Sequence, residues 1–236
     1  QARYKQTVLG VGWAILPPLA LSAVVVLALP HVIEIAPGMQ PYPLFVFIGL
    51  WAWTLFVGAL SFAIPNLVQN VALIRKVYFP REILIIAAIV PSLLDFTVGF
   101  FILLGFLFYY HVPLHAGLLA LPILLAGELL VILGVSFLGA ITNVAFRDVS
   151  KFLPILLQVL FFATPIIYSI ESSANTTLWY ILNPLAGFIE ESRSLILHGT
   201  LAHPLALTGS CLASLLVCIV GYAVFKNGEQ VIADIV

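Results

Sequence analysis

Apolar residues dominate the chain in six long runs, at about residues 13–33, 43–64, 83–109, 117–141, 152–170 and 205–225. Each is close to or above the ~20 residues a helix needs to cross a bilayer. The strict in–out alternation of a transmembrane strand is missing, which disfavours a β-barrel. The pattern therefore predicts one all-α integral membrane domain with six transmembrane helices. Pro17, Pro18, Pro91 and Pro165 fall inside these runs or near their ends. They predict kinks rather than breaks, because neighbouring helices can satisfy the backbone groups a proline frees.

Two connections carry patterns of their own. Residues 65–82 are long enough for a short helix, mixing Asn66, Asn70, Leu73, Ile74 and Val77 around the basic pair Arg75-Lys76. Residues 171–204 contain a second candidate, with Asn183 at an N-cap position and Pro184 at the first helical position. There Leu185, Phe188, Ile189, Leu195 and Ile196 follow helical spacing, while Glu190, Glu191, Arg193 and Ser194 occupy other faces. His198 falls in the last turn and Gly199 suits the residue after it. At ~22 Å this helix is too short to span. It is expected along the outer interface, or dipping in as a re-entrant element buried by protein.

Composition supports lipid as the main solvent: 63% of the 236 residues are hydrophobic and 8% are charged, against roughly 25% charged in soluble domains. The net charge of −1 gives no reason to expect nucleic-acid binding. Charge then orients the helices. Arg3, Lys5, Arg75, Lys76, Arg81, Arg147, Lys151 and Lys226 all fall on one side of a six-span arrangement, and only Arg193 falls on the other. The positive-inside rule makes the first side cytoplasmic, with both termini there. His31, His111, His115, His198 and His203 all fall outside. Cys211 and Cys218, seven apart on one helix face, read as two buried free thiols.

Candidate chemistry is sparse. Asp95 and Glu128 sit within spans at one depth, ~18–20 Å from the cytoplasmic end. An intramembrane acid is a functional candidate by default, as a proton relay, a cation site or a polar wall. The structural alternative is a neutral carboxyl bonded across helices to Ser92, Thr97, Ser136 or a backbone carbonyl. Tyr42, Phe45, Tyr109, Tyr110, Tyr168, Trp179 and Tyr180 lie toward span ends, as an interfacial aromatic belt would. Trp51, Trp53 and Phe56 lie deeper, and aromatic faces also pack against sugar rings, so a glycan-lined passage rivals the belt. There is no G-x-x-x-x-G-K-[ST] phosphate loop, HExxH, G-x-S-x-G or metal-spaced Cys/His set. No catalytic or metal site is expected.

Several stretches resemble the ABC-2-type permeases that export O-antigen, capsular polysaccharide and teichoic acid. They are Arg3-Tyr4-Lys5-Gln6-Thr7-Val8-Leu9-Gly10 with Trp13 and Pro17, Tyr42-Pro43-Leu44-Phe45, and Asn70 to Leu84, reading NVALIRKVYFPREIL. Phe146-Arg147-Asp148-Val149, Thr164-Pro165-Ile166-Ile167-Tyr168 and Asn183-Pro184-Leu185 with Ile189-Glu190, Arg193, Leu197 and Gly199 complete the set. The resemblance implies a bacterial inner-membrane half-transporter that dimerises and binds two copies of a separate ATPase, which would hold the ATP and Mg. It makes residues 1–12 an amphipathic helix on the cytoplasmic interface. Leu73, Ile74, Arg75, Lys76, Val77, Tyr78, Phe79, Arg81 and Glu82 become the coupling segment. Residues 184–199, with Pro184, Glu190 and Arg193, become the outer gate. The cargo would be an undecaprenyl-diphosphate-linked glycan, with Arg3, Tyr4 and Lys5 near its diphosphate and Trp51, Trp53, Phe56 and Tyr168 along its passage. Two other readings stay open: an ABC-2 exporter of a drug, haem or bacteriocin, and a proton-coupled carrier using Asp95 and Glu128.

Overall fold

The computed structural model describes residues 12–28, 39–76, 79–169 and 176–235. Among them every regular element is helical. The order is α1 (Gly12–Ala28), α2 (Tyr42–Gln69), α3 (Val71–Lys76), α4 (Glu82–Tyr109), a 3₁₀ turn (Ala116–Ala120), α5 (Leu121–Ala145), α6 (Val149–Ala163), α7 (Thr176–Leu182), α8 (Pro184–Leu197) and α9 (Pro204–Ile235). Each of the six predicted spans falls on a helix. Among the described residues, four stretches are long and apolar enough to cross a membrane: Tyr42–Gln69, Glu82–Tyr109, Ala116–Ala145 and Pro204–Glu229. On the other two predicted spans, α1 is described over Gly12–Ala28, with residues 29–33 of its span outside the described residues, and α6 is 15 residues long. At 1.5 Å per residue α6 reaches ~22 Å, short of a ~30 Å hydrocarbon core.

The helices differ in what surrounds them. α2 is apolar all round and buried on nearly every side, as a helix enclosed by its neighbours should be. α4 instead presents Ile83, Ile86, Val90, Leu94 and Phe101 outward, and α6 presents Phe152, Ile155, Val159 and Phe162. These stripes recur at helical spacing, and large apolar side chains on the outside of a bundle are what lipid contact requires. α2 packs chiefly on α4, and α5 on α9. At the α5–α9 crossing, a Cβ on Gly134 would come within 2.5 Å of the Val217 carbonyl oxygen, and one on Gly221 would meet the Gly134 backbone. Small residues let these backbones touch, the usual device where no hydrophobic effect drives helices together in lipid.

Helix ends depart from the hydropathy pattern in three places. The fifth span was expected to reach residue 170, but α6 stops at Ala163, with Thr164 extended at its C-cap. Pro165 is the cause, since a residue before proline is driven out of the helical region. Conversely, α2 runs through Pro65 to Gln69, where a loop was expected. Asn183 does stand at the N-cap of α8, but its side chain makes no capping bond. It donates instead to the Thr164 hydroxyl at 3.0 Å, tying α8 to the broken end of α6. At the other end Gly199 follows the C-cap with φ +76°, as expected, and its N–H bonds the Leu195 carbonyl. Cys211 and Cys218 are free, but neither is buried as expected: Cys211 is exposed and Cys218 half-buried.

Candidate functional site

The described residues between α6 and α9 hold a dense polar network. α8 is buried along nearly its whole length, including Pro184, Glu190, Glu191, Arg193 and Ser194. This burial by protein is what the re-entrant placement requires of the helix. Its organising residue is Arg193, 2% exposed. The helix break at Thr164-Pro165 leaves carbonyls without helical partners, and a guanidinium offers five fixed donors. Arg193 Nη1 donates to the Pro165 carbonyl at 2.6 Å and the Tyr168 carbonyl at 3.3 Å. Nη2 donates to the Ile166 carbonyl, and Nε to the Phe45 carbonyl of α2 at 3.2 Å. Glu190 neutralises the charge at 3.0 Å from Nη1 and accepts a hydrogen bond from Ser169. The Phe45 ring lies 3.8 Å from the guanidinium carbon, a cation–π contact. α2 makes room with Gly49, where a Cβ would strike the guanidinium. One side chain thus binds α2, α8 and residues 165–168 together.

Glu191, one residue on, works on a different element. Its carboxylate accepts the backbone N–H of Ala202 at 2.9 Å and of His203 at 2.7 Å. These precede α9, so a side chain from another helix holds the approach to its positively polarised N-terminus. It lies in the unbroken polar run Glu190 to Ser194, and nothing in sequence spacing distinguishes the role of Glu191 from that of Glu190.

On the opposite face, α3 is a short helix set off from α2 by Asn70. The Asn70 side chain donates to the Asn66 carbonyl and side-chain oxygens at 2.9 and 2.7 Å, and Asn66 donates to the Leu84 carbonyl of α4. These two asparagines, noted in sequence only as polar positions, form the joint that aims α3. Ile74 packs inward, whereas Leu73, Arg75 and Lys76 are exposed. Val77 and Tyr78 lie outside the described residues, and Phe79 lies beyond the helix. Arg81 and Glu82 are turned elsewhere. Arg81 donates to the Glu229 carbonyl at 2.6 Å, and Lys226 bridges Glu82 at 3.3 Å and Glu229 at 2.8 Å. They clamp the start of α4 to the end of α9. Asp148, at the start of α6, bonds Lys151 at 2.9 Å, which holds its carboxyl below the usual range.

The remaining candidates divide. Arg3, Tyr4 and Lys5, with the interface segment up to residue 11, lie outside the described residues. Trp51 is 6% exposed, stacked on Phe96 at 4.0 Å, with its indole N–H on the Phe96 carbonyl at 2.8 Å. Trp53 and Phe56 are buried against each other, with Phe161 edge-on to Trp53 at 5.7 Å. Within a single chain these three are packing residues. Tyr168 is half-buried and donates to the Phe162 carbonyl. Asp95 is half-buried on α4, whereas Glu128 is 4% exposed on α5. The expected serine and threonine partners do not serve Glu128. Its Oε1 and the hydroxyls of Ser92 and Ser136 are buried without hydrogen bonds, and Thr97 bonds the Leu93 carbonyl.

No protein-family model matches the chain. It is, however, 28% identical over 241 aligned residues to the O-antigen export system permease protein RfbA of Klebsiella pneumoniae, covering 100% of this chain and 90% of that protein. The chain is thus similar over its whole length to curated O-antigen export permeases. RfbA of Myxococcus xanthus is 25% identical over 99% of the chain and 90% of its own length. Polysialic acid transport protein KpsM of Escherichia coli is 26% identical over 98% of the chain and 90% of its own length. This similarity covers the Arg193 network and the α3 joint alike. Together with the apolar helices, this similarity supports a multi-pass membrane protein.

Proposed function

We propose that this chain is the permease subunit of an ATP-driven exporter that carries a lipid-linked polysaccharide, such as O-antigen, across the bacterial inner membrane. The observation carrying this reading is similarity to O-antigen export permeases over the full length of the chain. All six apolar helices cross the membrane in this reading, with both termini cytoplasmic and two copies of the chain pairing. Two copies of a separate ATPase, holding ATP and Mg, dock on α3, where exposed Leu73 is flanked by Arg75 and Lys76. That gives energy a route into a chain with no phosphate loop. The Asn66–Asn70 joint and the Arg81–Glu229 clamp then carry movement of α3 into α4 and α9.

The test is copurification with a candidate ATPase, followed by ATPase assays with and without undecaprenyl-diphosphate-linked glycan. The expected result is a stable complex whose hydrolysis rises with the glycan, and cytoplasmic retention of the glycan when the chain is deleted. Normal surface glycan after deletion, with no second exporter present, overturns the reading.

A further inference from the structure

Between α4 and α5, in the half of the bundle nearer α8, lies a cavity of about 260 Å³. Its aromatic wall is Trp51, Phe96 and Phe100, its polar groups are Glu128, Thr97 and Ser192, and the rest of the lining is apolar. The wall is fixed: Trp51 is held by stacking and by its bond to the Phe96 carbonyl, with Phe100 centred 6.0 Å away. Glu128 lies seven residues along α5 from Leu121, so ~10 Å in from the outer end of that helix. α4 and α5 touch only sparsely, which leaves a way between them to the lipid.

Glu128 is the anomaly. A buried carboxyl without a partner costs on the order of several kcal/mol, so such groups are normally paired or hydrogen-bonded. Its Oε1 has no partner, and no Lys or Arg lines the cavity. The nearest cation in sequence to this wall, Arg193, follows Ser192 on α8 but spends its donors on Glu190 and on carbonyls of α2 and residues 165–168. An acid in the lining of a cavity that also holds three aromatic rings, with no basic residue supplied, is arranged to receive a cation from outside.

We propose that this cleft binds the ammonium end of an amphiphile. The charged nitrogen would pair with Glu128 and lie against the faces of the aromatic wall, while the alkyl chain leaves between α4 and α5 into lipid. Carboxylate and aromatic rings both attract an ammonium, the rings by their negative faces. An anionic headgroup would meet only the acid, and a bare acyl chain would leave Glu128 unsatisfied. The volume, slightly below the ~300–1,000 Å³ of drug-sized pockets, admits a headgroup and the first part of a chain but not a polysaccharide. The site is therefore separate from any glycan route and stands whether or not the export reading does.

The ammonium could belong to a bilayer lipid or to a soluble cationic amphiphile. The full chain in nanodiscs of phosphatidylglycerol, which has no amine, is labelled with a photoreactive dodecylamine, and the attachment sites are mapped by mass spectrometry. Labelling is expected on the α4 and α5 walls, with dodecylamine competing about tenfold better than dodecanol, the scale of a hydrogen bond to a charged group. Glu128→Gln should erase that preference, and Glu128→Asp should keep part of it. Replacing the lipid with phosphatidylethanolamine should suppress labelling if the lipid is the occupant and leave it intact if a soluble amine is. Equal competition by amine and alcohol in the unmodified chain overturns the proposal without reliance on any variant. So does a Glu128→Gln protein, eluting and melting normally, that still prefers the amine.

Discussion

Arg193 and the pair Arg75-Lys76 are basic residues on short helices at opposite faces of the molecule, and they have opposite surroundings. Arg193 is buried, faces Glu190, and joins three parts of the chain through five hydrogen bonds. Arg75 and Lys76 are exposed on a six-residue helix that buries none of its side chains fully. The same chemistry thus serves two ends. Where a helix break strands carbonyls inside the bundle, a guanidinium completes the structure. Where a helix is held out by two asparagines, cations stay available for something outside the chain. Substitutions at the two faces should therefore separate stability from coupling.

The largest effect is expected at the Arg193 hub. Arg193→Met removes the donors for four carbonyls and leaves Glu190 buried without its counter-ion, a change worth ~3–5 kcal/mol. For a chain of this size that is a fall in apparent melting temperature on the order of 10 °C, measurable on purified protein in detergent. Adding Glu190→Gln should recover part of the loss by removing the stranded charge. Arg193→Lys should recover little, because one ammonium cannot reproduce the planar fork. A single Arg193→Met variant that melts like the unmodified chain would mean the hub holds nothing together.

Next in size is the turn that closes α8. Gly199 has φ +76°, and a Cβ there would sit 2.7 Å from the His115 ring. Gly199→Ala meets both a left-handed backbone, costing ~1–2 kcal/mol for a residue with a Cβ, and that contact. The expected drop in melting temperature is about 4 °C, readable on the same melting curve. An unchanged melting temperature would show that the turn relaxes freely and that α8 is fixed by Arg193 alone.

The two faces also differ in how far they could be read from sequence. Helix positions follow from hydropathy, because a bilayer-length apolar run has few other folds. The ends of α8 follow from Pro184 and Gly199, which are local signals. The fifth span was overestimated because Ile166 and Ile167 are apolar and Pro165 reads as a kink in sequence, whereas the helix breaks there. The wiring of Arg193 was not legible, since its carbonyl partners lie 25 to 148 residues away. The same holds for Asn183, whose capping pattern was overridden by a tertiary bond to Thr164. Glu128 was recognised as an intramembrane acid, but the lack of a partner is a property of the packed cavity and has no sequence signal.

The smallest effect on stability is expected at α3, and there the comparison becomes sharpest. Replacing Leu73, Arg75 and Lys76 with alanine touches exposed side chains, so each should change stability by no more than about 0.5 kcal/mol. Alanine also favours the helix, and Ile74 and the Asn66–Asn70 joint remain to hold it. The triple variant should therefore melt within about 3 °C of the unmodified chain. If α3 is the docking element, the same protein should lose copurifying ATPase and glycan-stimulated hydrolysis. Separate restoration of Leu73 and of the basic pair would show whether apolar contact or charge carries the docking. Full retention of the ATPase would move the docking surface off α3, and the nearest exposed alternative is the Arg147–Lys151 stretch before and within α6. A large loss of stability would instead mean that α3 is anchored like α8, and the contrast between the two faces would not hold.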